Sequence, residues 1–108
     1  MRKLAVYRNN ILAGTLTEQS GTSFVFEYDD AYFNDPKTPA ISLTMPKINK
    51  KYESDTLFPF FYNMLSEGVN RKLQNKLLKI DADDNFGLLA ATAQFDTIGA
   101  ITVKPNVL

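Results

Sequence analysis

The sequence predicts an α+β domain: a small antiparallel β-sheet or partly closed barrel of about five strands, with a helical insert of two to three helices before the last strand. Three observations lead there. Short β-prone runs separated by turn residues fill the first half of the chain, an aromatic run and a helix-periodic segment follow, and a β-prone run from Ile98 to Val103 stands alone near the end. That last run can bury its apolar side only by returning to the earlier sheet, so the helices precede a closing strand. At 108 residues and 44% hydrophobic content, a single core without disulfide or metal staples is expected, and residues 1–108 read as one domain.

The elements follow in order. Leu4 to Tyr7 and Ile11 to Leu16 flank Arg8-Asn9-Asn10, and Asn tolerates the positive φ of a tight hairpin turn. After Gln19-Ser20-Gly21, the run Thr22 to Tyr28 places Phe24, Phe26 and Tyr28 on one face by alternation, which completes an antiparallel meander. Asn34 to Pro39 is a loop, because each proline lacks a ladder donor. From Ala40 to Met45, Ile41, Leu43 and Met45 alternate with Ser42 and Thr44, which predicts a fourth strand stopped by Pro46. Lys47 to Lys51 is read as a solvated loop.

Ser54 or Asp55 is expected to cap a helix entering the aromatic run Leu57 to Gly68, with Pro59 near the helix start and Gly68 at its end. Val69, Leu73, Leu77 and Ile80 then recur at helical spacing, with Arg71, Lys72, Lys76 and Lys79 on the outer face. Asp81 to Asn85 is acidic, but Phe86-Gly87-Leu88-Leu89 follows in place of spaced calcium ligands, so Asp83 or Asp84 is read as the cap of a third short helix.

Composition narrows the chemistry. Twelve Lys and Arg balance twelve Asp and Glu, so no net field draws the chain to nucleic acid or an anionic membrane. With no cysteine and no histidine, thiolate nucleophiles, zinc–thiolate sites and the commonest general base are absent. No catalytic, cofactor-binding or metal-binding residues are expected. The amino terminus lacks the apolar run of a signal peptide and no stretch approaches the ~20 apolar residues of a membrane span, so a cytoplasmic protein is expected.

Three blocks carry a family resemblance. They are the opening hairpin with Gly14-Thr15-Leu16, the segment Ile41-Ser42-Leu43-Thr44-Met45-Pro46, and the segment Phe60-Phe61-Tyr62-Asn63-Met64-Leu65-Ser66-Glu67-Gly68, followed by Phe86 to Leu89 and Ile98 to Pro105. Their order and spacing resemble the small N-terminal subdomain of HipA-type serine/threonine kinases of bacterial toxin–antitoxin systems. Ser66 stands where the family usually has Pro. The sequence shows no Gly-rich phosphate loop, catalytic Asp-to-Asn segment or metal-binding Asp motif.

The resemblance extends to the HipS-like antitoxins of three-part HipBST systems. It implies a non-catalytic protein that docks on and neutralises a HipT/HipA-type kinase, with a HipB-like DNA-binding protein joining through the complex. Tyr62, Asn63, Ser66 and Glu67 are the first candidate partner-binding patch, with Phe58, Phe61 and Leu65 turned inward at helical spacing; some relatives carry Trp where Tyr62 stands. Met45, Pro46, Lys47 and Ile48 form the second, and the lysines there are expected to be solvated. An N-terminal subdomain of a longer kinase is one alternative reading. A small barrel that stacks bases on Phe24, Phe26 and Tyr28 is another, and an independent enzyme is the least supported.

Overall fold

The computed structural model describes residues 1–65, 76–77, 79–81, 84–92 and 100–105. Five strands, β1 (Arg2–Arg8), β2 (Ile11–Ser20), β3 (Ser23–Tyr28), β4 (Lys51–Ser54) and β5 (Ile101–Pro105), make one antiparallel sheet in the order β4-β3-β2-β1-β5. The sheet is open, and β5 closes against β1 at one edge. Three short helices have described bounds: α1 (Asp30–Asn34), α2 (Pro59–Tyr62) and α3 (Asn85–Thr92).

The hairpin between β1 and β2 turns at Asn9 and Asn10, both at positive φ (49° and 66°), as the asparagine pair predicts. The register slips between Val6 and Tyr7, so Ala13 is the extra residue of a bulge. Gly14 follows it, because a Cβ there would lie 2.4 Å from the Glu27 carbonyl oxygen and 2.7 Å from the Phe26 ring. That absence of a side chain leaves room for the edge of the Phe26 ring.

Leu4, Val6, Leu16, Phe24, Phe26 and Tyr28 point from one face of the sheet into a single core, where they meet Phe58, Phe61, Leu65, Phe86, Leu88 and Leu89 from the helical side. Phe26 packs edge-on to Tyr28 at 4.9 Å and tilted against Phe61 at 5.9 Å. α1, α2 and α3 each contribute side chains to this core, so the architecture is a two-layer α+β stack.

The fourth strand lies elsewhere than its alternation suggested. Residues 41–45 form turns, and the strand beside β3 is Lys51–Ser54, in and just beyond the stretch read as a solvated loop. Ile41 and Met45 are buried as expected, but Leu43 is 100% exposed. The physical reason is local: the Ser42 hydroxyl accepts a hydrogen bond from the Thr44 N–H (3.2 Å), and the Met45 N–H bonds back to the Ser42 carbonyl (3.2 Å). The backbone curls, and the middle apolar residue turns outward.

The second helix starts later than predicted. The Ser54 hydroxyl accepts from the Thr56 N–H instead of capping a helix, and α2 begins at Pro59 with Phe58 as its uncapped N-terminal flank. Proline at the first position needs no donor partner, so less is lost without a cap. Asp84 does cap α3: its carboxylate accepts from the Gly87 N–H at 3.0 Å and its carbonyl from the Leu88 N–H at 3.1 Å. A Cβ on Gly87 would lie 2.2 Å from that carboxylate, so with any other residue there the carboxylate would have to shift. The amphipathic helix expected over Val69 to Ile80 falls largely outside the described residues, as do Ser66, Glu67, Gly68 and Asp83.

Candidate partner-binding surface

The aromatic run folds into a tight corner. The Phe61 and Tyr62 N–H groups both bond to the Phe58 carbonyl (3.0 Å each) and the Asn63 N–H to that of Pro59 (2.9 Å). The Met64 and Leu65 N–H groups then bond three residues back, which tightens the exit. Phe61 is fully buried at the hub of this corner, with Phe58 and Phe60 edge-on to it at 6.3 and 5.3 Å. Leu57, Phe58, Met64 and Leu65 are also buried.

Tyr62 and Asn63 stand on the outside of the same turn. Tyr62 is 43% exposed, and Asn63 is exposed beside it. A fold that buried the whole aromatic run would have left nothing here to touch a partner. This one drives Phe58, Phe61 and Leu65 inward and holds an aromatic and an amide in water.

The second patch divides differently from its sequence reading. Met45 is 2% exposed, so its side chain is part of the core. Pro46 is half-buried, and its carbonyl accepts a hydrogen bond from the Tyr52 hydroxyl (2.6 Å). Lys47 is not solvated as expected: its ammonium donates to the Asp35 carbonyl (2.7 Å), the Thr38 carbonyl (2.8 Å) and the Thr38 hydroxyl (2.8 Å), and lies 5.2 Å from the Tyr32 ring centre. An ammonium has three donors, and all are engaged. Ile48 remains outside at 81% exposure, and Leu43, absent from the predicted set, joins it in water.

Tyrosine hydroxyls hold this loop to the sheet and to α1. Tyr28 accepts from the Ile41 N–H (3.2 Å) and donates to the Met45 carbonyl, while Tyr32 donates to the Pro39 carbonyl (2.6 Å). Burial pushes the Tyr28 hydroxyl up to about 12 and raises that of Tyr32. Lys50, bridged to Asp30 and lying 3.7 Å from Glu27, ties the loop's far end. The hydrogen bond to Asp30 raises the Lys50 ammonium above its ordinary value.

The sequence reading missed a third feature, Arg2. Its guanidinium donates to both oxygens of Asp84 (2.8 and 3.1 Å) and to Glu18 (2.8 Å), and sits 5.0 Å from the Phe86 ring centre. This clasp joins β1, β2 and the start of α3 beside a cavity of about 690 Å³. The hydrogen bonds to Asp84 raise the guanidinium's pKa, and the same contact holds the Asp84 carboxyl below its ordinary value. The partners are 82 residues apart, a separation at which no local pattern could have paired them.

The base-stacking reading loses its rings. Phe24, Phe26 and Tyr28 are 7%, 0% and 1% exposed, with no open face for a base.

Comparison with known proteins bears on the family and the fold. The family model described as the HipA N-terminal domain matches residues 4–104. A solved structure described as "N-terminal domain of HipA toxin" superposes with a TM-score of 0.72 at 24% identity, covering 99% of this chain and 94% of that one. A curated relative, "Putative kinase Y4mE" of Sinorhizobium fredii (strain NBRC 101917 / NGR234), is 26% identical over 106 residues. The aligned region is 98% of this chain and 25% of the relative, so the chain spans a quarter of that protein's length.

Proposed function

The chain belongs to the HipA N-terminal domain family, and from that premise we propose that it is a non-catalytic binding module that docks on a HipT/HipA-type kinase core and neutralises it, as a HipS-like antitoxin would. The observation that carries this reading is the α2 corner. Three buried apolar side chains, Phe58, Phe61 and Leu65, fix a turn whose outer side is Tyr62 and Asn63. An aromatic held by a rigid neighbour loses little conformational freedom on binding, which is the usual make-up of an interface anchor. A sequence with neither histidine nor cysteine adds to the case for binding over catalysis. In this reading Ser66 and Glu67 extend the patch, and a HipB-like DNA-binding protein joins through the kinase.

The test is reconstitution with a purified HipA-type kinase core lacking its own N-terminal domain. Co-purification with loss of kinase activity is expected, and Tyr62→Ala is expected to weaken binding at least tenfold while the thermal midpoint holds. A core that neither binds nor changes its activity rejects the proposal.

One observation favours a second reading. The match to a quarter of a kinase-like relative suits a domain that acts within a longer polypeptide. The same corner would then face the catalytic part of its own chain. Sequencing through the coding region downstream of Leu108 separates the two.

A further inference from the structure

The proposed function places one contact at the α2 corner. A different part of the molecule carries the signs of another. Leu43 and Ile48 are 100% and 81% exposed, while Met45 between them is 2% exposed. This exposure does not come from a loose loop, because residues 39–46 are tied by the Tyr28, Tyr32 and Tyr52 hydroxyls and Lys47 is tied by its ammonium. The fold spends three tyrosines and a lysine on a segment with no ladder of its own, and the result is two branched apolar side chains held in water. Holding them in advance removes the entropy of ordering a loop on association.

Within the segment itself the charged side chains have one sign, although Asp30, Asp35 and Glu27 stand beside it. Between Pro36 and Tyr52 stand Lys37, Lys47, Lys50 and Lys51 with no Asp or Glu, in a chain whose net charge is zero. Lys47 is bonded to carbonyl and hydroxyl oxygens, so its charge meets no carboxylate there. Lys50 is balanced by Asp30 and Glu27. Lys37 and Lys51 are exposed. A surface that complements this segment is apolar at its centre and acidic at its rim.

We propose that residues 41–50 form a second docking loop, with Leu43 and Ile48 entering an apolar crevice rimmed by carboxylates on the kinase core that the α2 corner also contacts. The proposal rests on the docking reading given above. It adds a second anchor and the chemistry of the surface that receives it.

The experiment titrates the same purified kinase core with the full chain and its variants. Leu43→Glu combined with Ile48→Glu is expected to weaken binding at least tenfold at an unchanged thermal midpoint, since both side chains lie in water. Leu43→Lys, which keeps the charge match, is expected to lose less than Leu43→Glu, and the gap between them to narrow with added salt. If the wild-type chain fails to bind the core, both proposals fall. If the wild type binds, Tyr62→Ala weakens binding and the double glutamate variant binds as tightly as wild type, only the loop proposal falls. A concentration-dependent dimer in sedimentation that Leu43→Glu abolishes, with kinase affinity unchanged, would make the loop a self-association surface and also overturn the proposal.

Discussion

Residues 23–28 and 41–48 lie side by side and are held by opposite means. The first is β3, whose backbone pairs with β2 on one edge and β4 on the other, so its side chains only have to pack. The second has no strand partner, and its backbone groups find tyrosine hydroxyls in place of a ladder. Tyr28 belongs to both: its ring is the last core residue of β3 and its hydroxyl bonds to the loop at Ile41 and Met45. Buried backbone polar groups must find partners somewhere. A side chain can supply them, and a segment held this way can expose apolar residues that a ladder-bound strand would have turned inward.

Phe26→Ala removes a fully buried ring that covers Gly14 and meets Tyr28 and Phe61. A loss of about 3–5 kcal/mol is expected, as for large-to-small changes in packed cores, measured by urea denaturation. A loss under about 1 kcal/mol, the range of a volume-conserving swap, would show that the core does not centre on β3.

On the loop side the expected effect is smaller and of a different kind. Tyr28→Phe keeps the ring but strands the Ile41 N–H and Met45 carbonyl, at a cost of about 1–3 kcal/mol. Trypsin should then cut faster at Lys47 and Lys50 while the sheet persists, read by mass mapping of the first fragments. The hydroxyl has a pH signature. Its folded value, about 12, lies above the ordinary 10, so its contribution is complete below pH 10 and is lost as pH rises through 12. Tyr28→Phe should flatten that alkaline decline. Lys47→Met tests the same loop from its other support. It keeps the stem and removes three donors, and because the acceptors are only part-buried and can turn to water, about 1 kcal/mol is expected in thermal melts.

The two regions also differ in how far the sequence revealed them. Phe24, Phe26 and Tyr28 were legible as core because alternation in β3 is enforced by burial on one face. Ile41 and Met45 were legible as buried for the same reason, but the strand inferred from them was not there. Alternation reports which side chains go inside and says nothing about where the backbone hydrogen bonds go. The acceptors of the Tyr28, Tyr32 and Tyr52 hydroxyls, and of the Lys47 ammonium, lie six to seventeen residues away, at no fixed period, so Lys47 read as solvated and Leu43 as internal. At the α2 corner, helical spacing placed Phe58, Phe61 and Leu65 inside and left Tyr62 at the edge, because a one-turn helix on a core obeys its own period. The Arg2 clasp pairs β1 with its hairpin partner Glu18 and with Asp84 at the start of α3, and the second contact had no local signal.

That clasp gives the smallest effect and the sharpest contrast with Lys47. Both cations fasten a segment that lacks a ladder partner, but Lys47 is held by carbonyl and hydroxyl oxygens, which do not titrate in acid, and Arg2 is held by carboxylates, which do. The Asp84 carboxyl is kept below its ordinary 3.8, chiefly by the hydrogen bonds from Arg2. A depressed folded value contributes stability that is present above the unfolded value, and this is lost as pH falls through the lower, folded one. Acidification below about pH 4 should therefore loosen the start of α3, whose Gly87 N–H bonds to the same carboxylate, and leave the 41–48 loop in place. Because the pair is partly in water, its worth is up to about 1 kcal/mol. An NMR titration would show the Gly87 amide moving with a midpoint below 3.8 while the Ile41 and Met45 amides stay still. Asp84→Asn should abolish the first shift without creating the second. Equal movement at both places would mean that the loop and the clasp open together, and that the two ways of holding a segment are not independent.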